Sequence, residues 1–352
     1  MKGIVLAGGK GSRLRPFTYS GAKQLVPIGN TPVLHFPVRQ LVEAGIADIA
    51  IVVGDTEAQI REAMGDGSAF GARFTYIQQP APLGLAHAVS ICRSFVGSGP
   101  FILYLGDNVL QGGIRPFVDE FSASQAEAAV LLKSVADPRS FGVARFAGEH
   151  LAGVVEKPQH PPTDLAVIGI YAFRQSVFDV IARQSPSARG ELEIADTING
   201  LLAAGCEVTA ARTTRYWIDT GKMEDMLAAN REVLSEIEAV VDPSARLVGS
   251  ALEGRISVGP GAVIEDCRVV GPVAIAAGAR LSRCIIGPDA AIGANCVFRH
   301  VNIRDSIVME RTEMRACPGI EASMIGRFAY VSGAPAGARL TLGDHSRFEA
   351  GQ

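Results

Sequence analysis

Apolar positions along this chain keep one rhythm over its first two thirds and another over the rest. Gly3 to Ala7 form an unbroken apolar run, as expected of a short strand buried on both faces. DIAIVV (48–53), FTYIQQ (74–79) and FILYLGD (101–107) repeat it with β-branched and aromatic residues. Between these runs the spacing loosens to that of helices, in VLHFPVRQLVEAG (closed by Gly45), TEAQIREAM and GLAHAVSICRSFV. Such alternation predicts an α/β domain over residues 1–240, a doubly wound, mostly parallel Rossmann-like sheet with ligands at the carboxyl ends of its strands. MEDMLAANREVLSEIEAV (223–240) predicts a linking helix, stopped by Pro243.

Past that helix the period becomes six. Leu252, Val258, Ile264 and Val270 are six apart, as are Ile286, Ile292 and Phe298, and glycine follows at V-G (258–259), V-G (270–271), I-G (286–287) and I-G (292–293). Six fits neither a helix nor an alternating strand. It predicts a left-handed parallel β-helix over 241–352, each hexapeptide forming one flat face with an aliphatic residue turned inward. The repeat breaks between Val270 and Ile286 and fades past Ile307, which predicts a short, irregular coil.

Composition adds bounds. A chain of 352 residues exceeds what one core usually organises, in keeping with two domains. The net charge of −3 gives no overall pull toward nucleic acid. Six scattered cysteines with no C-x-x-C argue against zinc and disulfides and predict a reducing, cytoplasmic setting. No apolar run approaches the roughly 20 residues that span a bilayer, so no membrane partner is expected.

The chemistry begins at LAGGKGSRLRPFT. Gly8, Gly9 and Gly11 let the backbone turn tightly and approach a ligand, and Lys10, Arg13 and Arg15 suit a multiply charged anion such as phosphate. Neither common glycine fingerprint is met: Leu14 stands where G-x-G-x-x-G wants its last glycine, and Ser12-Arg13 where a P-loop wants G-K-[ST]. Lys23 follows closely. Gln79, at a strand end, offers a donor and an acceptor side by side, matching a nucleobase edge. Asp107 and Asp219 suit Mg²⁺, which takes one or two carboxylates plus substrate phosphates, although either also suits a turn or helix cap. FGV (141–143), VVEKP (154–158) and AVIGIYAF (166–173) supply Glu156 for sugar hydroxyls and Lys157 for a phosphate, or else an adjacent surface ion pair.

Taken in order over residues 3–221, LAGGKGSRLRPFT, AKQLVPIGNTP, QPAPLGLAHA, LGDN, FGV, EKP, GELEIAD and YWIDTG resemble the sugar-1-phosphate nucleotidylyltransferases. The hexapeptide tail is similar to the long, thymidylyl-transferring form of that family. The resemblance implies transfer from dTTP to α-D-glucose 1-phosphate with Mg²⁺, giving dTDP-glucose and pyrophosphate at the entry to deoxysugar synthesis. It implies that Gly8, Gly11 and Arg13 hold the triphosphate and that Lys23 reaches the reacting phosphates. Gln79 would read the thymine edge with Gly84 beside the base. Asp107 and Asp219 would hold the metal, and Gly142, Glu156, Lys157, Val167 and Trp217 would line the sugar phosphate site. Arg13, Lys23, Asp107 and Lys157 are the residues expected to carry catalysis. Ser12 departs from the usual threonine, and Leu83, Phe141 and Ile168 replace the aspartate, tyrosine and threonine of short forms, near the base and sugar. A UTP-using uridylyltransferase and a bifunctional nucleotidyl- and acetyltransferase are the alternatives. The second needs a histidine base beside a coil, and the tail holds only His300 and His345. The tail is expected to serve subunit contacts in a homo-oligomer.

Overall fold

Strand Lys2–Leu6 forms the axis of the first half of the chain. It pairs in parallel with Asp48–Val53 on one side and Phe101–Leu105 on the other, and Asp48–Val53 pairs in parallel with Arg73–Gln78. Ile4, Val5, Ile49, Ile51, Ile102 and Leu103 are fully buried, as expected where helices cover both faces. The computed structural model describes residues 1–350.

An antiparallel wing extends this Rossmann-like core. Leu165–Phe173 runs antiparallel to Phe101–Leu105 and to Ala128–Ser134, and Gly142–Ala147 pairs antiparallel with His150–Glu156. Helices His35–Glu43, Glu57–Met64, Leu85–Ser90 and Arg93–Val96 fall where the helical spacing placed them, the third expected stretch dividing into two. Met223–Glu236 is the helix before the tail, and the strand Val240–Val241 follows it.

The tail is a left-handed parallel β-helix. Residues stack in columns that are buried from the second turn on: Val241, Val258, Ile275 and Ile292 in one; Leu247, Ile264, Leu281 and Phe298 in a second; Leu252, Val269, Ile286 and Ile303 in a third, with Val241 and Leu247 exposed at the open end. Each turn in these columns advances seventeen residues, because one side takes five residues and two take six. The strict period of six is therefore corrected at one position: Val269 is fully buried and faces inward, whereas Val270 is half-buried. The coil is also longer and more regular than expected, continuing through Met314, Val331 and Phe348 to the strand Arg347–Glu349. Buried Cys267, Cys284, Cys296 and Cys317 fill interior places where the aliphatic pattern lapses, and no cysteine is in a disulfide among the described residues.

Contacts divide the chain into two units, one of residues 1–10 and 34–219, the other of 11–33 and 220 onward. The segment Gly11–Val33 thus belongs with the β-helix.

Candidate functional site

In the first unit, the expected residues gather at the carboxyl ends of the parallel strands. Gly8 follows Lys2–Leu6, Gln79 follows Arg73–Gln78, and Asp107 follows Phe101–Leu105. A β-carbon at Gly8 would stand 3.5 Å from Gln79 Oε1, so this amide oxygen faces the start of the glycine loop. Gln79 Nε2 donates to Gly84 O at 3.1 Å and lies 3.1 Å from His87 Nδ1, which accepts in the matching tautomer. Gly84 itself has φ +100°, and a β-carbon there would come within 2.4 Å of Leu192 O. Leu192 donates to Leu83 O at 2.8 Å and accepts from Ala86 N at 3.0 Å, so the ELEI stretch clamps the turn under Gln79.

Asn108 joins the two aspartates. Its Nδ2 donates to Asp107 Oδ1 at 2.8 Å, and its backbone stands opposite Asp219 in the antiparallel pairing of Asn108–Leu110 with Trp217–Asp219. Its Oδ1 accepts a buried hydrogen bond from Trp217 Nε1 at 2.7 Å. Trp217 in turn meets Phe141 edge to face, with ring centroids 5.3 Å apart. Gly142 stands opposite Glu156 in the sheet, and a β-carbon on it would lie 3.5 Å from Glu156 Oε2 and 4.0 Å from Val167 Cβ. Lys157 donates its backbone N–H to Phe141 O at 3.0 Å with φ +43°, a left-handed conformation rare for a residue bearing a side chain. Its Nζ is 3.3 Å from Glu156 Oε1. A chain of contacts therefore runs from Asp107 through Asn108, Trp217 and Phe141 to Lys157 and Glu156.

The remaining expected residues, Gly11, Arg13 and Lys23, lie in the second unit. Gly11 has φ +60°, and Thr18 Oγ1 donates to its carbonyl at 2.8 Å. Arg13 is exposed on the single turn Ser12–Leu14, which is pinned by buried Leu14. Lys23 is only 7% exposed, unusual for lysine, and its stem runs beneath Gly11. Burial raises the pKa of Asp225, at the start of helix Met223–Glu236, and the charge of Arg13 opposes that rise.

Four residues escaped the reading of the sequence. Asn108 and His87 act through the side chains they orient, and only the fold reveals those contacts. Arg189 reaches Glu156 at 3.2 Å and Glu193 at 2.9 Å, and its place just before GELEIAD was the available signal. Gln24, beside Lys23, has a buried Oε1 that no hydrogen bond satisfies.

The aspartate pair fits a hard divalent cation, since it offers carboxylate oxygens and no soft ligands. Asp219 Oδ1 is buried without a hydrogen bond to satisfy it, although the residue as a whole has partners. Among the described residues no three His, Cys, Asp or Glu side chains cluster as a closed metal cage, so a cation here would complete its shell with substrate and water oxygens.

The nucleotidyl transferase family matches residues 2–236. The chain belongs to that family. A glucose-1-phosphate thymidylyltransferase of Streptomyces griseus is 44% identical over 355 residues, covering 99% of both chains. Another, from Streptomyces antibioticus, is 41% identical with the same coverage. A Bacillus anthracis structure described as a glucose-1-phosphate thymidylyltransferase with a sucrose superposes with a TM-score of 0.64 at 40% identity, covering 68% of this chain and 96% of that one. Nucleotidyl transferases of this family generally depend on a divalent metal. No helix among the described residues is long and apolar enough to cross a membrane.

Proposed function

We propose that the protein transfers a thymidylyl group from dTTP to α-D-glucose 1-phosphate, releasing pyrophosphate and giving dTDP-glucose. The observation that carries this reading is the 44% identity, over nearly the whole of both chains, to the Streptomyces griseus enzyme of that activity. A phosphate oxygen of the sugar 1-phosphate attacks the α-phosphorus in line. One P–O bond forms, the bond from the α-phosphorus to the bridging oxygen breaks, and pyrophosphate leaves with that bond's electrons. A phosphate monoester with a second pKa of about 6 is largely dianionic at neutral pH, so no general base is needed. The obstacle is electrostatic. Two polyanions must meet, and unit charges ~4 Å apart cost about 4 kcal/mol at the effective dielectric near a protein surface.

The residue roles follow from this obstacle. Gly8 and Gly11 let main-chain N–H groups face the triphosphate, and Arg13 and Lys23 compensate its charge. Mg²⁺, held by Asp107 and Asp219, would supply further charge neutralisation on the phosphates. Lys157 binds the sugar's phosphate. Glu156 accepts sugar hydroxyls, with Gly142, Val167 and Trp217 shaping the site. Both N–H groups of Gln79 are engaged, with Gly84 and His87, which leaves Oε1 to accept the N3–H of thymine. Cytosine N3 and adenine N1 carry no proton and present a lone pair to that oxygen. Gly84 fixes the turn beside the base.

Uracil shares the N3–H, so a UTP-using enzyme is the second reading. Discrimination then falls to the thymine methyl and the missing 2′-hydroxyl, and a methyl pocket supplies only ~1–3 kcal/mol. Steady-state assays of dTTP, UTP, CTP and ATP against several sugar 1-phosphates test the proposal. The expected result is preference for dTTP with glucose 1-phosphate, measurable UTP turnover and very poor use of CTP and ATP; efficient use of ATP overturns it. Of the two tail histidines that an acetyl-transfer reading would need as a base, His345 lies stacked on Phe328 with ring centroids 4.9 Å apart and His300 is exposed. The proposal includes a cytoplasmic homo-oligomer, which light scattering of the purified protein checks.

A further inference from the structure

The two cations assigned to the triphosphate stand on a segment with little regular structure. Gly11–Val33 holds three single-turn helices, Ser12–Leu14, Phe17–Tyr19 and Lys23–Leu25, and a hairpin of two-residue strands. Backbone ladders fix few of its dihedral angles. Side chains and carbonyls of the β-helix do the fixing.

Two coil residues form the principal clamp. Asp344 Oδ2 accepts from Ser20 Oγ at 2.8 Å, and its Oδ1 accepts from the backbone N–H of Arg327 at 2.7 Å. Arg327 stands one turn earlier in the coil. Its guanidinium lies 3.6 Å from Asp344 and 3.3 Å from Glu310, and it donates to Leu25 O at 3.2 Å. That carbonyl belongs to the last residue of the turn Lys23–Leu25, which carries the buried lysine. A charged donor on a carbonyl makes a stronger bond than a neutral one. Asp344 Oδ2, on Ser20, and the Arg327 guanidinium, on the Leu25 carbonyl, thus hold the two ends of the stretch from Ser20 to Leu25, with Lys23 between them.

The rest of the segment is tied in the same manner. Asn30 Nδ2 donates to Ala274 O at 3.1 Å and to Ile292 O at 3.0 Å, bridging successive turns of the coil. Gly29 N donates to Asn230 Oδ1 at 2.8 Å, and Asn230 Nδ2 donates to Asp289 O at 3.2 Å. At Gly343 a β-carbon would stand 3.1 Å from Pro16 Cβ, so the last turn of the coil passes close beneath the start of the segment.

We propose that Arg327 and Asp344 are positioning residues for nucleotide binding, through which the β-helix sets the place of Lys23 and Arg13. This rests on the reading of those two residues as triphosphate ligands. The coil is then part of the nucleotide-binding apparatus as well as a surface for assembly.

The test uses the full-length protein. Arg327→Ala is expected to raise KM for dTTP about tenfold and to lower kcat, as loss of a charge-assisted bond on the loop predicts, with KM for glucose 1-phosphate changed less than about twofold. Arg327→Lys, which keeps a cationic donor, is expected to recover most of the loss. A folded Arg327→Ala with wild-type dTTP kinetics overturns the proposal, as does an equal rise in both KM values. If Arg327→Ala does not fold, the surface pair answers instead: Ser20→Ala adds little to Asp344→Ala if the two act through one bond, and fully additive effects on dTTP KM overturn it. Amide exchange over residues 11–25 separates this proposal from the reading of the reaction. It rises in Arg327→Ala whichever nucleotide is the donor, and unchanged exchange there refutes the clamp.

Discussion

Gly11 and Lys23 are packed so closely that a β-carbon on the glycine would stand 2.6 Å from the β-carbon of the lysine and 3.1 Å from its Cδ. Gly11 is also at φ +60°, where any side chain is strained. Both facts require glycine, and the second residue is the one whose position suffers. Gly11→Ala is expected to displace the Lys23 stem, lowering kcat/KM for dTTP by at least tenfold. The cost in global stability should exceed the about 1–2 kcal/mol of left-handed strain at one residue, because the Lys23 β-carbon can give way only with its backbone. Kinetics and urea unfolding of the same preparation check both parts.

Removing a carboxylate from the proposed metal pair should stop the reaction and leave the fold. In Asp107→Asn the side-chain carbonyl still accepts from Asn108 Nδ2, now 2.8 Å from Asp107 Oδ1, so local structure persists. Asp107→Asn and Asp219→Asn are each expected to cut turnover by orders of magnitude and to raise the divalent cation concentration giving half-maximal rate. Near-wild-type rates in both, with the metal still required, would sink the two-aspartate assignment.

Trp217→Phe tests the link between aspartates and sugar site. It removes the indole N–H from Asn108 Oδ1, an acceptor on a residue 2% exposed, and leaves that oxygen buried without its donor. An unsatisfied buried acceptor costs about 1–3 kcal/mol. Urea unfolding should report that loss, and KM for glucose 1-phosphate should rise more than KM for dTTP.

His35 gives the protein an acid-side weakness. Burial, with a smaller contribution from the charge of Arg39, lowers its pKa from 6.5 to about 4, and the ring lies edge-on to Phe70 with centroids 4.9 Å apart. The folded state keeps the imidazole neutral, and the unfolded chain takes up a proton below pH ~6.5. More protons are bound unfolded than folded between pH 6.5 and about 4, so this contribution to stability falls as pH drops through that window. His35→Phe keeps a ring against Phe70 and removes the titration. Its urea midpoint should change less than that of the wild type between about pH 7 and pH 5.

Much of the architecture was legible because burial leaves a pattern. DIAIVV is the strand Asp48–Val53, residue for residue, since both its faces are covered. The hexapeptide period revealed the β-helix but misplaced Val270, because a turn of seventeen residues slips the register by one on one of its three sides. The length of the coil was hidden by Cys, Met and Ala at inward positions, residues the aliphatic pattern does not count. The site motifs stood out through residue types that ordinary surfaces do not need. The contacts joining them, such as Asn108 to Trp217 or Arg189 to Glu156, did not, because one polar pair distant in sequence produces no periodicity. The grouping of Gly11–Val33 with the tail was invisible for the same reason. It is built largely from hydrogen bonds in which one partner is a main-chain group, and any sequence supplies those.

The regular stacking of turns makes the coil a ruler. Strands in register are ~4.8 Å apart, so the chain gains height in fixed steps of one turn. An excision of one whole turn would preserve every inward column and every ladder, and by itself cost the tail little. It would nonetheless bring Asp344 and Arg327 one step away from Ser20 and Leu25, beyond the reach of a hydrogen bond. The number of turns between Ile292, where Asn30 is held, and Asp344 is thus a dimension of the molecule that must be kept whole, even though no single residue within those turns encodes it.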